Sequence, residues 1–76
     1  MPQQIHDKMA KVIKVIEVMS ESSTSYEDAI SSAVEGTAKT VRHIRSAYVN
    51  EQSVTVKDGK VDKYRVNVKI SFEVDV

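Results

Sequence analysis

The sequence predicts an α+β domain of order β-α-β-β. It has a three-stranded antiparallel/mixed sheet, strand order 1-3-2, wrapped on one helix. Three observations predict it. Tyr64, Val66, Val68, Ile70, Phe72, Val74 and Val76 occupy every second position, with Arg65, Asn67, Lys69, Ser71, Glu73 and Asp75 between them. A strand sends successive side chains to opposite faces, so this stretch has one apolar and one polar face. Asp58-Gly59 is a two-residue hairpin signal, because a type I′ turn needs φ > 0 at both positions. Ser25 heads an acidic first turn, Glu27 and Asp28, which marks a helix start.

Residues 1–10 are polar and without periodicity and read as a flexible N-terminal tail; residues 11–76 form the domain. His6 and Asp7 are neighbouring oxygen and nitrogen donors on that tail, a weak metal signal. Lys11 to Met19 is the first strand. Val12, Ile13, Val15, Ile16, Val18 and Met19 put apolar groups on both of its faces, so one face covers the chain's own core and the other calls for a second subunit. Ser20 to Ser25 reads as a loop. The helix that follows is expected to run to about Arg42, with Ile30, Ala33, Val34, Thr37, Val41 and Ile44 at the 3–4 spacing of one face. Gly36, costly in a helix by about 1 kcal/mol, points to close approach of another backbone.

Ser46 to Lys57 is the second strand. Counting from a two-residue turn sets Val56 opposite Val61, Val49 opposite Val68 and Gln52 opposite Arg65. It also sets Glu51 opposite Val66, on the apolar face, and a β-bulge near Ser53 would repair that misfit. The hairpin makes strands two and three antiparallel, and a right-handed crossover leaves one and two parallel. The long strand then belongs in the middle.

Formal charge balances, 11 basic against 11 acidic residues, which gives no field for nucleic acid or a membrane surface. There is no cysteine, so disulfides and thiolate metal sites are excluded, and a cytoplasmic setting is expected. No apolar run spans a bilayer, and Met1 to Lys11 lacks the apolar core of a signal peptide. A single core in 76 residues is small, and without staples oligomerisation is the remaining source of stability. Catalysis has no constellation behind it: His43 stands alone near the helix end, and no serine has a base at a telling spacing. Glu17, Glu21, Glu27 and Asp28 make a loose acidic cluster that suits a hard cation, or is ordinary helix-start and surface charge.

Ile13 to Val18, Thr24 to Ile30, Val49-Asn50-Glu51-Gln52, Asp58-Gly59-Lys60-Val61 and Tyr64-Arg65-Val66, in this order and spacing, resemble the dodecins. The resemblance covers residues 12 to 76. It implies a hollow homododecamer that is not an enzyme and that stores a small ligand, FMN or riboflavin in many members, at subunit interfaces. Flavin-binding members have a stacking tryptophan where this chain has Ser46, and a flavin-contacting glutamine where it has Arg65. Serine has no π-face, and arginine has donors but no acceptor. Stacking on an aromatic is worth about 1–3 kcal/mol per base in nucleic-acid sites, so flavin binding is expected to be weak here. Ser46, Arg65, Tyr48 and Gln52 form the candidate ligand-binding set. The alternative is a structural or storage assembly without flavin that binds a divalent cation such as calcium.

Overall fold

The computed structural model describes residues 11–74. The tail, with His6 and Asp7, and the last two positions, with Val76, lie outside them. The elements are β1 (Val12–Ser22), α1 (Tyr26–Ala38), β2 (Ile44–Lys57) and β3 (Lys60–Val74). They form one three-stranded sheet of order β1-β3-β2. Both pairings are antiparallel. This is the predicted topology, with the long alternating strand in the centre.

The alternation of β3 builds the core. Val66, Val68 and Ile70 are fully buried under α1, which presents Ala29 and Ala33. Small residues on the helix let its backbone approach the branched side chains of β3 closely. Ile16, Val18, Tyr26, Ile30, Ile44 and Ala47 pack around this centre. Tyr26 meets Tyr64 edge to face, with ring centroids 5.1 Å apart. A 13-residue helix is roughly 20 Å long, whereas the 15 residues of β3 extend roughly 50 Å. The helix therefore leaves the hairpin end uncovered, where Val54, Val56 and Val61 are exposed.

The helix start is built as expected. Ser25 is the N-cap, its hydroxyl accepting from the Asp28 N–H at 3.0 Å. A second serine reinforces it. The buried Ser22 hydroxyl donates to Asp28 Oδ2 at 2.7 Å and accepts from the N–H groups of Thr24 (2.9 Å) and Ser25 (3.3 Å). These bonds show why β1 runs three residues past the end that the apolar pattern suggested. Ser20 and Ser22 continue the ladder opposite Val66 and Tyr64 before the chain turns. The loop proper begins only after Ser22.

The helix ends at Ala38, four residues before the expected Arg42. Thr40 and Val41 both direct their N–H groups to the Thr37 carbonyl, which closes the last turn. His43 then takes φ = 63°, and its carbonyl accepts from the Glu73 N–H at 3.0 Å. Val41 and Ile44 keep helical spacing but lie beyond the helix, and Ile44 opens β2. Gly36 is exposed, and no atom outside its immediate neighbourhood lies within 4 Å of where its Cβ would be. The expected close backbone approach is absent among the described residues.

Asp58 and Gly59 have φ of 53° and 76°, as a type I′ turn requires, and Lys57 pairs with Lys60. Val56 faces Val61 and Val49 faces Val68 as counted. Between these pairs the register is displaced by one residue, so Gln52 faces Val66, Ser53 faces Arg65 and Glu51 faces Asn67. The expected Gln52–Arg65 pairing is wrong for that reason. Two bulges produce the displacement rather than one near Ser53. One leaves Asp62 of β3 unopposed and the other Asn50 of β2, and the second cancels the first. Glu51 is thereby turned to the polar face. A third irregularity leaves Arg45 unopposed. The β1–β3 register, in contrast, runs from Val12↔Val74 to Ser22↔Tyr64 without a shift.

Candidate functional site

The helix covers one face of the sheet. The other, here the outer face, carries the polar half of β3 and the second apolar set of β1. Across it, Val15, Ser71 and Ser46 form one row; Glu17, Lys69 and Tyr48 the next; Met19, Asn67 and Glu51 the next; Glu21, Arg65 and Ser53 the last. Ile13, Val15, Met19 and Tyr48 are 47%, 58%, 60% and 58% exposed. They make a set of large apolar side chains that the described residues leave uncovered.

Arg–Glu pairs hold both ends of this face. Arg65 donates from Nε to Glu21 Oε2 at 2.7 Å and adds a second bond from Nη2. Arg45 does the same to Glu73, with a Nε–Oε1 distance of 2.7 Å. Lys11 Nζ stands 3.8 Å from Glu73 Oε2. The bond from Arg45, with the nearby positive charges, holds the Glu73 carboxyl below its ordinary range. An open depression of about 450 Å³ lies beside the Glu21–Arg65 pair, lined by Met19, Ser20, Glu21 and Arg65.

The candidate ligand residues divide. Ser46, Tyr48 and Arg65 share the outer face. Gln52 does not; its register with Val66 puts it on the helix side of the sheet. Ser46 sits opposite Ser71, with its Oγ 2.5 Å from Ser71 Oγ. Arg65 is six residues further along β3, roughly 20 Å away. One chain thus cannot place both on a single small ligand. Arg65 is also engaged by Glu21, a partner that only the β1–β3 register reveals.

The acidic residues are not gathered. Glu21 holds Arg65, the Asp28 carboxylate accepts from Ser22 while the Asp28 N–H donates to the Ser25 cap, and Glu17 Oε2 accepts from Asn50 Nδ2 at 3.4 Å. Among the described residues no group of three or more histidine, aspartate or glutamate side chains is placed to hold a metal ion. His43 belongs to the turn before β2, not to the helix end. Asn67, which sequence reasoning passed over as one more polar residue of β3, has a buried Oδ1 with no hydrogen-bond partner. Among the described residues no helix is long and apolar enough to cross a membrane.

The family model Dodecin matches residues 12–75. The calcium dodecin of Mycobacterium tuberculosis is 37% identical over 62 residues, which are 82% of this chain and 87% of that protein. Its crystal structure, described as that of a calcium-chelating antigen with a novel calcium-binding site, superposes with a TM-score of 0.75 over 84% of this chain and 91% of that one, at 38% identity. An arginine-to-alanine variant of the Thermus thermophilus dodecin superposes with a TM-score of 0.83 at 30% identity, covering 88% of this chain and 100% of that one. With the β-α-β-β order, the 1-3-2 sheet and a family match over residues 12–75, the chain belongs to the dodecin family.

Proposed function

We propose that this chain is a binding and storage subunit, not an enzyme, that closes into a hollow homododecamer and holds a small ligand between subunits in the cytoplasm. The observation that carries this reading is the uncovered outer face. Ile13, Val15, Met19 and Tyr48 are about half exposed or more, while among the described residues five apolar side chains are buried in the core. So small a core with so much exposed apolar surface is the profile of a protomer completed by its neighbours. Ser46 and Arg65 lie too far apart to serve one ligand from one chain, which fits a site shared between copies.

Flavin is the family's ligand, and this chain holds it weakly. Ser46 offers no ring, and Arg65 is occupied by Glu21. Light scattering tests the assembly. One species near twelve times 8.5 kDa is expected, and a stable monomer at micromolar concentration refutes the reading. Titration with FMN, read by fluorescence, tests the ligand; a Kd of micromolar or weaker is expected, and nanomolar binding refutes the altered site.

The second reading is storage of a divalent cation such as calcium. Its support is the calcium dodecin relative at 37% identity. Since one chain gathers no metal-ligating cluster among its described residues, neighbouring copies would complete such a site. Calorimetry with calcium on chelator-treated protein separates the two readings: heat of binding that saturates supports the cation, and its absence rejects it.

A further inference from the structure

The hairpin end of the sheet carries an apolar surface that the fold builds and leaves bare. Val54 faces Tyr64, and Val56 faces Val61. Tyr64 alternates with Val66 and Val68, which lie under α1, so these residues belong to the helix side of the sheet. Strict alternation from Tyr64 would turn Val61 to the outer face. The bulge at the unopposed Asp62 returns it to the side of Val56. The three valines thus share one face, and all three are exposed.

The helix begins at the inner edge of this floor. Tyr26, its first residue, meets Tyr64 edge to face. From there α1 runs away from the hairpin, to the turn where the His43 carbonyl accepts from Glu73 near the far end of β3. The result is a step. Its floor is Val54, Val56 and Val61, and its wall is the first helical turn, roughly 10–12 Å high with side chains. Glu27 and Asp28 give the wall negative charge, and both are exposed. Asp28 is engaged by Ser22, whereas Glu27 has no side-chain partner among the described residues.

The other end of the helix carries the complement. Lys39, the C-cap, and Arg42, in the turn beyond, are exposed, as is Ala38 beside them. The nearby Glu73 is taken by Arg45 and Lys11. Neither Lys39 nor Arg42 has an ion-pair partner among the described residues. A helix roughly 20 Å long separates Arg42 from Glu27, so one chain cannot pair them.

We infer that the step is a docking site for the helix end, residues 38–42, of a second copy of this chain. The valine floor is covered by that copy, and Glu27 meets its Arg42. Helix dipoles then meet head to tail, positive end to negative end. The two contacting surfaces differ, so the contact is heterologous, the kind that closes into a ring when its rotation allows. This rests on the assembly reading above and adds a contact that the outer face does not supply.

Light scattering over a dilution series tests it, with far-UV circular dichroism to confirm that each variant is folded. Glu27→Arg and Arg42→Glu change exposed side chains outside the core. Each alone is expected to raise the concentration of half-assembly at least tenfold, and the two together to bring it back to within about threefold of the unmodified protein. Val56→Asp is expected to prevent assembly. A double variant no better than the single ones overturns the proposal, because Glu27 and Arg42 then do not meet. Full assembly of folded Val56→Asp also overturns it, because the floor then faces solvent, and the assembly reading stands. If Val56→Asp does not fold, the charge exchange alone decides. A stable monomer of the unmodified protein overturns both this contact and the assembly reading.

Discussion

Ser22→Ala should destabilise the fold more than loss of the helix cap itself. The Ser22 hydroxyl is buried, donates to a carboxylate at 2.7 Å, and accepts from two backbone N–H groups. A hydrogen bond to a charged group contributes about 1.5–3 kcal/mol, and neutral ones about 0.5–1.5 kcal/mol each. Thr24 is exposed, so its N–H recovers water in the variant, and the Ser25 bond is long at 3.3 Å. Asp28 is exposed too and regains solvation, which keeps its bond at the lower end. The expected loss is therefore about 2–3 kcal/mol, against about 1 kcal/mol for Ser25→Ala, which removes one cap bond. Urea unfolding at fixed protein concentration measures both, with the exposed Ser23→Ala as the control that should change nothing. A double-mutant cycle between Ser22 and Asp28 should show coupling of about 1 kcal/mol or more. A loss below about 0.5 kcal/mol in Ser22→Ala would mean that water replaces the hydroxyl at no cost, and that the tie between β1 and α1 contributes nothing.

Gly59→Val should cost about 1–3 kcal/mol by backbone strain alone, since no atom crowds the new Cβ and φ is 76°; unchanged thermal stability would refute the turn assignment. Glu73 titrates below the ordinary range in the fold, chiefly through its bond from Arg45. Its contribution is thus complete above the unfolded-state value, about 4.3, and fades as pH falls through the lower folded value. Urea midpoints measured from pH 6 to 2 should show a smaller acid-induced fall in Glu73→Gln, and identical profiles would refute the pairing. Ser46→Trp with Arg65→Gln should tighten FMN binding by two decades or more, as read by fluorescence quenching. Because Arg65→Gln leaves Glu21 without its cation, adding Glu21→Gln should tighten it further; no gain in either variant would reject the assignment of these positions.

The central strand, the strand order and the turn were legible because each rests on a local pattern with one physical solution. The alternation of Tyr64 to Val74 fits only a strand, and Asp58-Gly59 fits only a turn with positive φ. The end of the helix was not legible. Val41 and Ile44 continue the 3–4 spacing, but both lie beyond the helix, and Ile44 instead opens β2 and packs on the core. The stop is made by Thr37 accepting twice and by positive φ at His43, and neither leaves a glycine or proline in the sequence. The bulges were half legible. Glu51 on an apolar face announced that the simple register was wrong, but one observation cannot distinguish one bulge from two that cancel. Arg65 was picked out by position, while its partner Glu21 lay in a stretch that reads as loop. Asn67 carried no signal at all, since an unpaired acceptor appears only when every neighbour has been placed.

The two edges of the sheet differ in a way that bears on aggregation. β2 is broken by unopposed residues at Arg45 and Asn50, and such irregularity spoils an edge as a template for another strand. β1 pairs with β3 over its whole length without a register shift, with no proline and with Val12, Ile13, Val15, Ile16 and Val18 in a short run. Lys14 and Glu17 are its only charges between Val12 and Ser20. A chain separated from its neighbours therefore has one sticky side and one inert side. Growth by strand addition would begin at β1, and such stacking has no natural end point, unlike a closed shell. Dilution or mild denaturant that opens an assembly of this protein should accordingly be the condition under which fibrils form. A second lysine or a proline in the middle of β1 would suppress them.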